Sequence, residues 1–173
     1  ILRTGSVKEI IYTNEGEEQI LGFFLPGEII GLDTVNQKNY RCDAIAMQTV
    51  SYCAVPYDKF NVLAHEIPEL YKIMVDTMSK VISFEEKMLL TACNKKADER
   101  LATFIMSLSK RYSHVGYSAS DIHLPMSRQD IANYLGLSSE TVSRVFTQFQ
   151  KDNIILVESK NITSFFEDKL TDL

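Results

Sequence analysis

The side chains best suited to chemistry lie close together, in residues 127–151, SRQDIANYLGLSSETVSRVFTQFQK. At helical spacing Glu140, Ser143, Arg144 and Thr147 form one stripe, and Val142, Val145, Phe146 and Phe149 form the opposite one. The polar stripe has the chemistry of a base reader. Arginine donates a bidentate pair to guanine O6 and N7, glutamate accepts from the cytosine N4 amine, and serine reaches a base or a phosphate. An ordinary amphipathic helical hairpin is the plainer alternative.

Such a stripe needs a rigid mount, and the flanking residues provide one. Ser127 followed by Asp130 is a helix start of the capping-box type, after which Ile131 and Leu135 share a face. Gly136 allows a sharp turn, Leu137 plugs the space between two helices, and Ser138 caps the second. Ile154 to Val157 and Ile162 to Phe165, on either side of Glu158-Ser159-Lys160-Asn161, form a short hairpin in the position of a wing.

Composition limits the rest. The chain has 173 residues with 45% hydrophobic and 24% charged, a globular balance for one large or two small domains. No apolar run approaches the roughly 18 to 20 residues that span a bilayer, so no membrane association is expected. The net charge of −5 provides no general attraction for nucleic acid. Residues 110–160 hold six Lys or Arg against five Asp or Glu, so phosphate attraction falls to few residues, Arg128 and Lys151 among them. Three cysteines, Cys42, Cys53 and Cys93, with no CxxC pair, fit a reducing cytoplasm. His65, His114 and His123 lie apart, and no G-x-S-x-G, H-E-x-x-H or G-x-G-x-x-G occurs, so no enzyme is expected.

Residues 1–62 read as short strands with turns between them: Val7 to Thr13, a hairpin at Asn14-Glu15-Gly16, Gln19 to Leu25, then Ile29 to Leu32, Ala44 to Gln48 and Val50 to Val55. Residues 63–93 read as a long helix with Pro68 in its first turn. Its apolar seam includes Met74, Met78, Ile82, Met88 and Leu89, and Glu85 falls either within that seam or at its solvated edge. Residues 94–173 resume helical periodicity and end in the capped pair and wing. The fold class is therefore α+β, with short strands at the spacing of an antiparallel sandwich or barrel, a long helix and a C-terminal winged helix-turn-helix.

This order, with SRQDIANYLGLSSETVSRVF, resembles the Crp/Fnr family of bacterial transcription regulators. The likeness is greatest to the oxygen-responsive Fnr branch through GEEQILGFFLPGEIIGLD at 16–33, VSYCAVPYDKF at 50–60, EIPELYKIMVDTMSKVI at 66–82 and KKADERLATFIMSLSKRY at 95–112. The family's E-x-x-S-R reader falls on Glu140, Ser143 and Arg144, and Ser127, Arg128, Ser138 and Thr141 are expected beside them at the DNA. Ser139 and Ser143 match the Fnr reader rather than the cyclic-AMP one, implying palindromic duplex DNA with TTGAT-type half-sites. Leu32 follows Gly31 and Cys42 follows Arg41, where the cyclic-AMP branch needs Glu and Ser, so no cyclic nucleotide is expected.

The resemblance also implies cofactor and partners. Fnr regulators hold a [4Fe-4S] cluster on four cysteines, and Cys53 matches the ligand in the β-roll; taken alone, Cys53 also fits a small buried hydrophobe. The other three ligands would lie before Ile1, where the family's β-roll begins, so no cluster is expected in this chain as given. A sensor of haem, nitric oxide or another small molecule on the same scaffold is the alternative. The homodimer would form along Met74, Met78, Ile82, Glu85, Met88 and Leu89, with facing Glu85 carboxylates setting the balance of monomer and dimer. Gly16 and Glu17 match a surface that touches RNA polymerase, and equally fit a solvated hairpin tip. Ser159 stands where these wings usually carry Gly.

Overall fold

The computed structural model describes residues 1–35, 37, 39–165 and 170. Positions 166–169 and 171–173, at the end of the expected C-terminal domain, lie outside the described residues. The elements are β1 (Leu2–Thr4), β2 (Val7–Tyr12), β3 (Glu18–Phe24), β4 (Asp43–Ala46), β5 (Ser51–Tyr52), α1 (Tyr57–Glu66), α2 (Glu69–Asn94), α3 (Ala97–His114), β6 (Ile122–His123), α4 (Arg128–Leu135), α5 (Ser139–Lys151), β7 (Ile155–Glu158) and β8 (Asn161–Phe165). They form three antiparallel sheets, ordered β1-β5, β3-β2-β4 and β6-β8-β7.

The expected β2–β3 hairpin forms around Gly16, whose N–H donates to the Thr13 carbonyl. A register shift between Glu9 and Ile10 turns both side chains inward, so strict alternation breaks there. Ile29 to Leu32 is not a strand. Gly31 takes a left-handed φ of 80° and ends the extended chain, which turns into a 3-10 helix over Leu32–Thr34.

The helical region also begins earlier than expected and has a break. α1 starts at Tyr57, Ile67 leaves the helical region (φ −126°, ψ 85°) where it precedes Pro68, and α2 starts after that proline. α2 reaches Asn94, and only Lys95 and Lys96 connect it to α3. No described helix is long and apolar enough to cross a membrane.

One core cluster joins the hairpin to the helices. Ile10, Ile20, Phe23 and Leu25 belong to the same buried set as Leu101, Phe104, Ile105 and Leu108 of α3, Ile131 and Leu135 of α4, and Val142, Phe146 and Phe149 of α5. Phe23 meets Phe104 and Tyr134 at 5.9 and 5.2 Å between ring centroids.

Candidate nucleic-acid interface

α4 starts as its sequence requires. The Ser127 hydroxyl accepts from the Asp130 N–H at 3.0 Å, and the Asp130 carboxylate accepts from the Ser127 N–H at 2.9 Å. The helix stops at Gly136, whose φ of 64° a residue with a Cβ adopts only with strain. Leu137 packs half-buried against the core, and the Ser138 hydroxyl accepts from the Thr141 N–H at 3.1 Å to open α5. These local bonds present α5 as a rigid rod on α4.

On α5, Val142, Val145, Phe146 and Phe149 are buried while Glu140, Ser143, Arg144 and Thr147 are exposed, as the helical spacing predicts. The three central reading groups thus lie on one face. The backbone N–H of Glu140 at the helix start, with help from Ser138, holds the Glu140 carboxyl below the ordinary range, so it is an acceptor at neutral pH. Thr147 spends its hydroxyl on the Ser143 carbonyl at 2.9 Å. Among the described residues no carboxylate pairs with Arg144, whose donors remain for a ligand.

The flanking polar residues are less free. Ser138 donates to the Thr141 hydroxyl at 3.1 Å, and Ser127 donates to Asp130, so both act first as caps. The Arg128 guanidinium lies over the Phe146 ring at 3.3 Å, and burial lowers its pKa to about 10, leaving it charged at neutral pH. Arg128 therefore presents a stacked, partly shielded charge rather than the open one its position in the chain suggests. In the wing, Ser159 adopts a left-handed φ of 58°, the conformation glycine would take. The wing is tied to β6, which leads into α4, by the Leu124 N–H donating to the Lys160 carbonyl at 2.7 Å and by His123 Nδ1 bonded to Asn161 Oδ1 at 2.7 Å.

The expected α2 seam is partly corrected. Ile82 and Leu89 are open to solvent, Met74 and Met78 are half-buried, and Met88 is 8% exposed in the chain's own core. Met88 lies about 100° around the helix from Leu89, which turns it inward toward the other helices. Val75, exposed and seven residues before Ile82, completes the outward row; a heptad count from Leu89 would have found it. Glu85 falls between Ile82 and Leu89 at the surface. Desolvation raises its carboxyl above the ordinary range, with Arg111 opposing.

The cysteines do not assemble. Cys53 is exposed just after β5, Cys93 is exposed on α2 and Cys42 is half-buried. Among the described residues no three His, Cys, Asp or Glu side chains are placed to hold a metal. A four-thiolate cluster therefore does not fit these residues by themselves, and Cys53 is a single outward thiol, not a buried hydrophobe. The Arg41 Nε donates to Gln37 Oε1 at 3.1 Å.

Residues 99–173 match the Crp-like helix-turn-helix domain, and residues 1–67 match the cyclic nucleotide-binding domain. The chain is 42% identical over 161 residues to the transcriptional activator protein anr of Pseudomonas aeruginosa, covering 93% of this chain and 66% of the relative. It is 38% identical over 172 residues to the fumarate and nitrate reduction regulatory protein of Escherichia coli, covering 99% of this chain and 69% of the relative. The fold matches the structure of FixK2 from Bradyrhizobium japonicum with a TM-score of 0.87 and 29% identity, covering 99% of this chain and 84% of that one. The chain spans about two thirds of the length of the curated relatives it matches. With 38% identity to a regulator of which it covers more than two thirds, and with antiparallel sheets, a long helix and a capped helix-turn-helix in turn, the chain belongs to the Crp/Fnr family of regulators.

Proposed function

We propose that this chain carries the DNA-reading and dimer-forming parts of an Fnr-type transcription regulator of genes for anaerobic growth. The observation that carries this reading is the presentation of Glu140, Ser143 and Arg144, exposed together on one face of a helix capped at its start. Arg144 takes a guanine edge, Glu140 a cytosine amine, and Ser143 the neighbouring base or phosphate. Arg128, Lys151 and the Ser127, Ser138 and Thr141 region approach the backbone, which accounts for binding by a chain of net charge −5. The duplex is a palindrome of TTGAT-type half-sites, and the homodimer forms along the outward row of α2. The exposed Gly16-Glu17 tip is the surface offered to RNA polymerase.

Relatives named as an anaerobic regulatory protein and as a fumarate and nitrate reduction regulatory protein support the oxygen-responsive branch. In that branch the exposed Cys53 thiol is one ligand of a [4Fe-4S] cluster whose other three thiolates are not among these residues. The alternative is a haem or small-molecule effector on the same scaffold.

Fluorescence anisotropy on duplexes substituted one base pair at a time tests the reading. Arg144→Ala is expected to lose about 1–3 kcal/mol of discrimination at a single guanine position. Uniform weakening on all sequences would make Arg144 a phosphate contact and remove the basis of the proposal.

A further inference from the structure

The reader is fastened to the sheet by contacts that no base-reading role uses. β3 is an edge strand, so its outer backbone groups lack a strand partner. Asn133, near the end of α4, fills that place. The Ile20 N–H donates to Asn133 Oδ1 at 2.7 Å, Asn133 Nδ2 donates to the Glu18 carbonyl at 2.7 Å, and Gln19 Nε2 donates to the Asn133 carbonyl at 3.2 Å. A primary amide offers donor and acceptor side by side in one plane, as a neighbouring strand does. Beside it, Lys8 Nζ on β2 donates to Glu18 at 2.7 Å and to Asp130 of α4 at 2.9 Å, with its side chain only 16% exposed. On the far side of the same junction, Arg111 of α3 pairs with both oxygens of Glu28 and donates to the Phe23 carbonyl.

The covalent tether cannot supply this rigidity. Two residues, Lys95 and Lys96, join α2 to α3, and both are extended. Relative to α2, the angle of the helix-turn-helix therefore rests on what the sheet grips together with the Phe84 and Met88 contacts of α2 with the core. In a dimer built along α2, that angle decides how far apart the two α5 helices lie.

We infer that Asn133 and Lys8 are positioning residues that set the half-site spacing this regulator accepts, while Glu140, Ser143 and Arg144 set the bases. The inference rests on the function proposed above. Two reading helices must enter the major groove about one turn apart, roughly 34 Å, and each inserted base pair shifts one of them by about 3.4 Å and rotates it around the duplex. A gripped reader binds well at one spacing and poorly at its neighbours. A loosened reader adapts to several spacings, and at the best one it loses affinity because its orientation must be ordered on binding. General loss of fold would lower binding at every spacing alike.

The test uses the full chain and duplexes carrying two TTGAT-type half-sites whose centres are separated by a series stepped one base pair at a time through about 10. A further duplex has one half-site scrambled. Asn133→Ala and Lys8→Met are each expected to bind about tenfold more weakly at the parent's best spacing, the equivalent of one or two net hydrogen bonds. The preference for that spacing over its neighbours should shrink about threefold or more, with binding to the single intact half-site unchanged. Lys8→Arg, which keeps the charge, should restore the parent's profile. If circular dichroism shows that Asn133→Ala does not fold, Lys8→Met decides the matter by itself. An unchanged spacing preference in a folded variant overturns the inference, and so does equal loss on all duplexes including the single half-site. A parent that fails to distinguish intact from scrambled half-sites would instead overturn the proposed function itself.

Discussion

The inner face of α5 and the outer face of α2 are both apolar stripes on helices of similar regularity, yet they meet different fates. Val142, Phe146 and Phe149 of α5 are covered by α3 and α4 of the same chain. Val75, Ile82 and Leu89 of α2 are 59%, 58% and 65% exposed, a row about 21 Å long that stays largely open to solvent. One stripe completes a domain, and the other is the row along which the proposed homodimer would form. In that dimer regulation would act on the open row, whose contacts set an equilibrium between monomer and dimer, whereas a closed core offers none.

Deepening the contrast from the closed side gives the largest effect. Phe149→Ala removes a fully buried ring and is expected to lower the stability of the folded chain by about 3–5 kcal/mol in urea titration. The same measurement on Ile82→Ala should move little, because its side chain is exposed in the single chain. Ile82→Glu attacks the open side: two added carboxylates and two lost apolar contacts should weaken the dimer about a hundredfold, or about 2.7 kcal/mol, by analytical ultracentrifugation.

Glu85 supplies a pH dependence of smaller size. Burial already raises its carboxyl, and facing its copy across a two-fold axis would raise it further in the dimer. A group whose pKa is higher in the dimer than in the monomer stabilises the dimer below the monomer value, and that contribution is lost as pH rises through the dimer value. Association is thus expected to be about tenfold tighter at pH 5 than at pH 7, with Glu85→Gln flattening the profile. A parent and variant with the same pH profile would remove Glu85 from the seam. Least of all, Ser159→Gly should stabilise the wing by about 0.5 kcal/mol in thermal unfolding, the relief of a left-handed serine less the greater freedom of unfolded glycine.

Much of the reader is legible in the chain because its signals are local. Ser127 with Asp130, Gly136, Ser138 and the spacing of Val142, Val145, Phe146 and Phe149 each act within a few residues, and each occurs in the structure as its chemistry implies. The β half is less legible. Ile29 to Leu32 has the composition of a strand but contains Gly31, whose left-handed φ turns the chain, and α1 starts at Tyr57 with no side-chain cap to mark it. Met88 departs from the expected seam because a helical wheel gives the direction of a side chain and not what waits there, here the chain's own core.

Residue order alone thus dictates where the helices of the reader start, turn and stop, and which three side chains they hold outward, because caps, turns and periodicity are short-range effects. Only packing in three dimensions brings Asn133 to the edge of β3 and Lys8 to Asp130, across 113 and 122 residues of chain. Such pairings depend on edge groups left open and charges shielded by the fold, and no local pattern around an asparagine or a lysine distinguishes them from solvated surface residues.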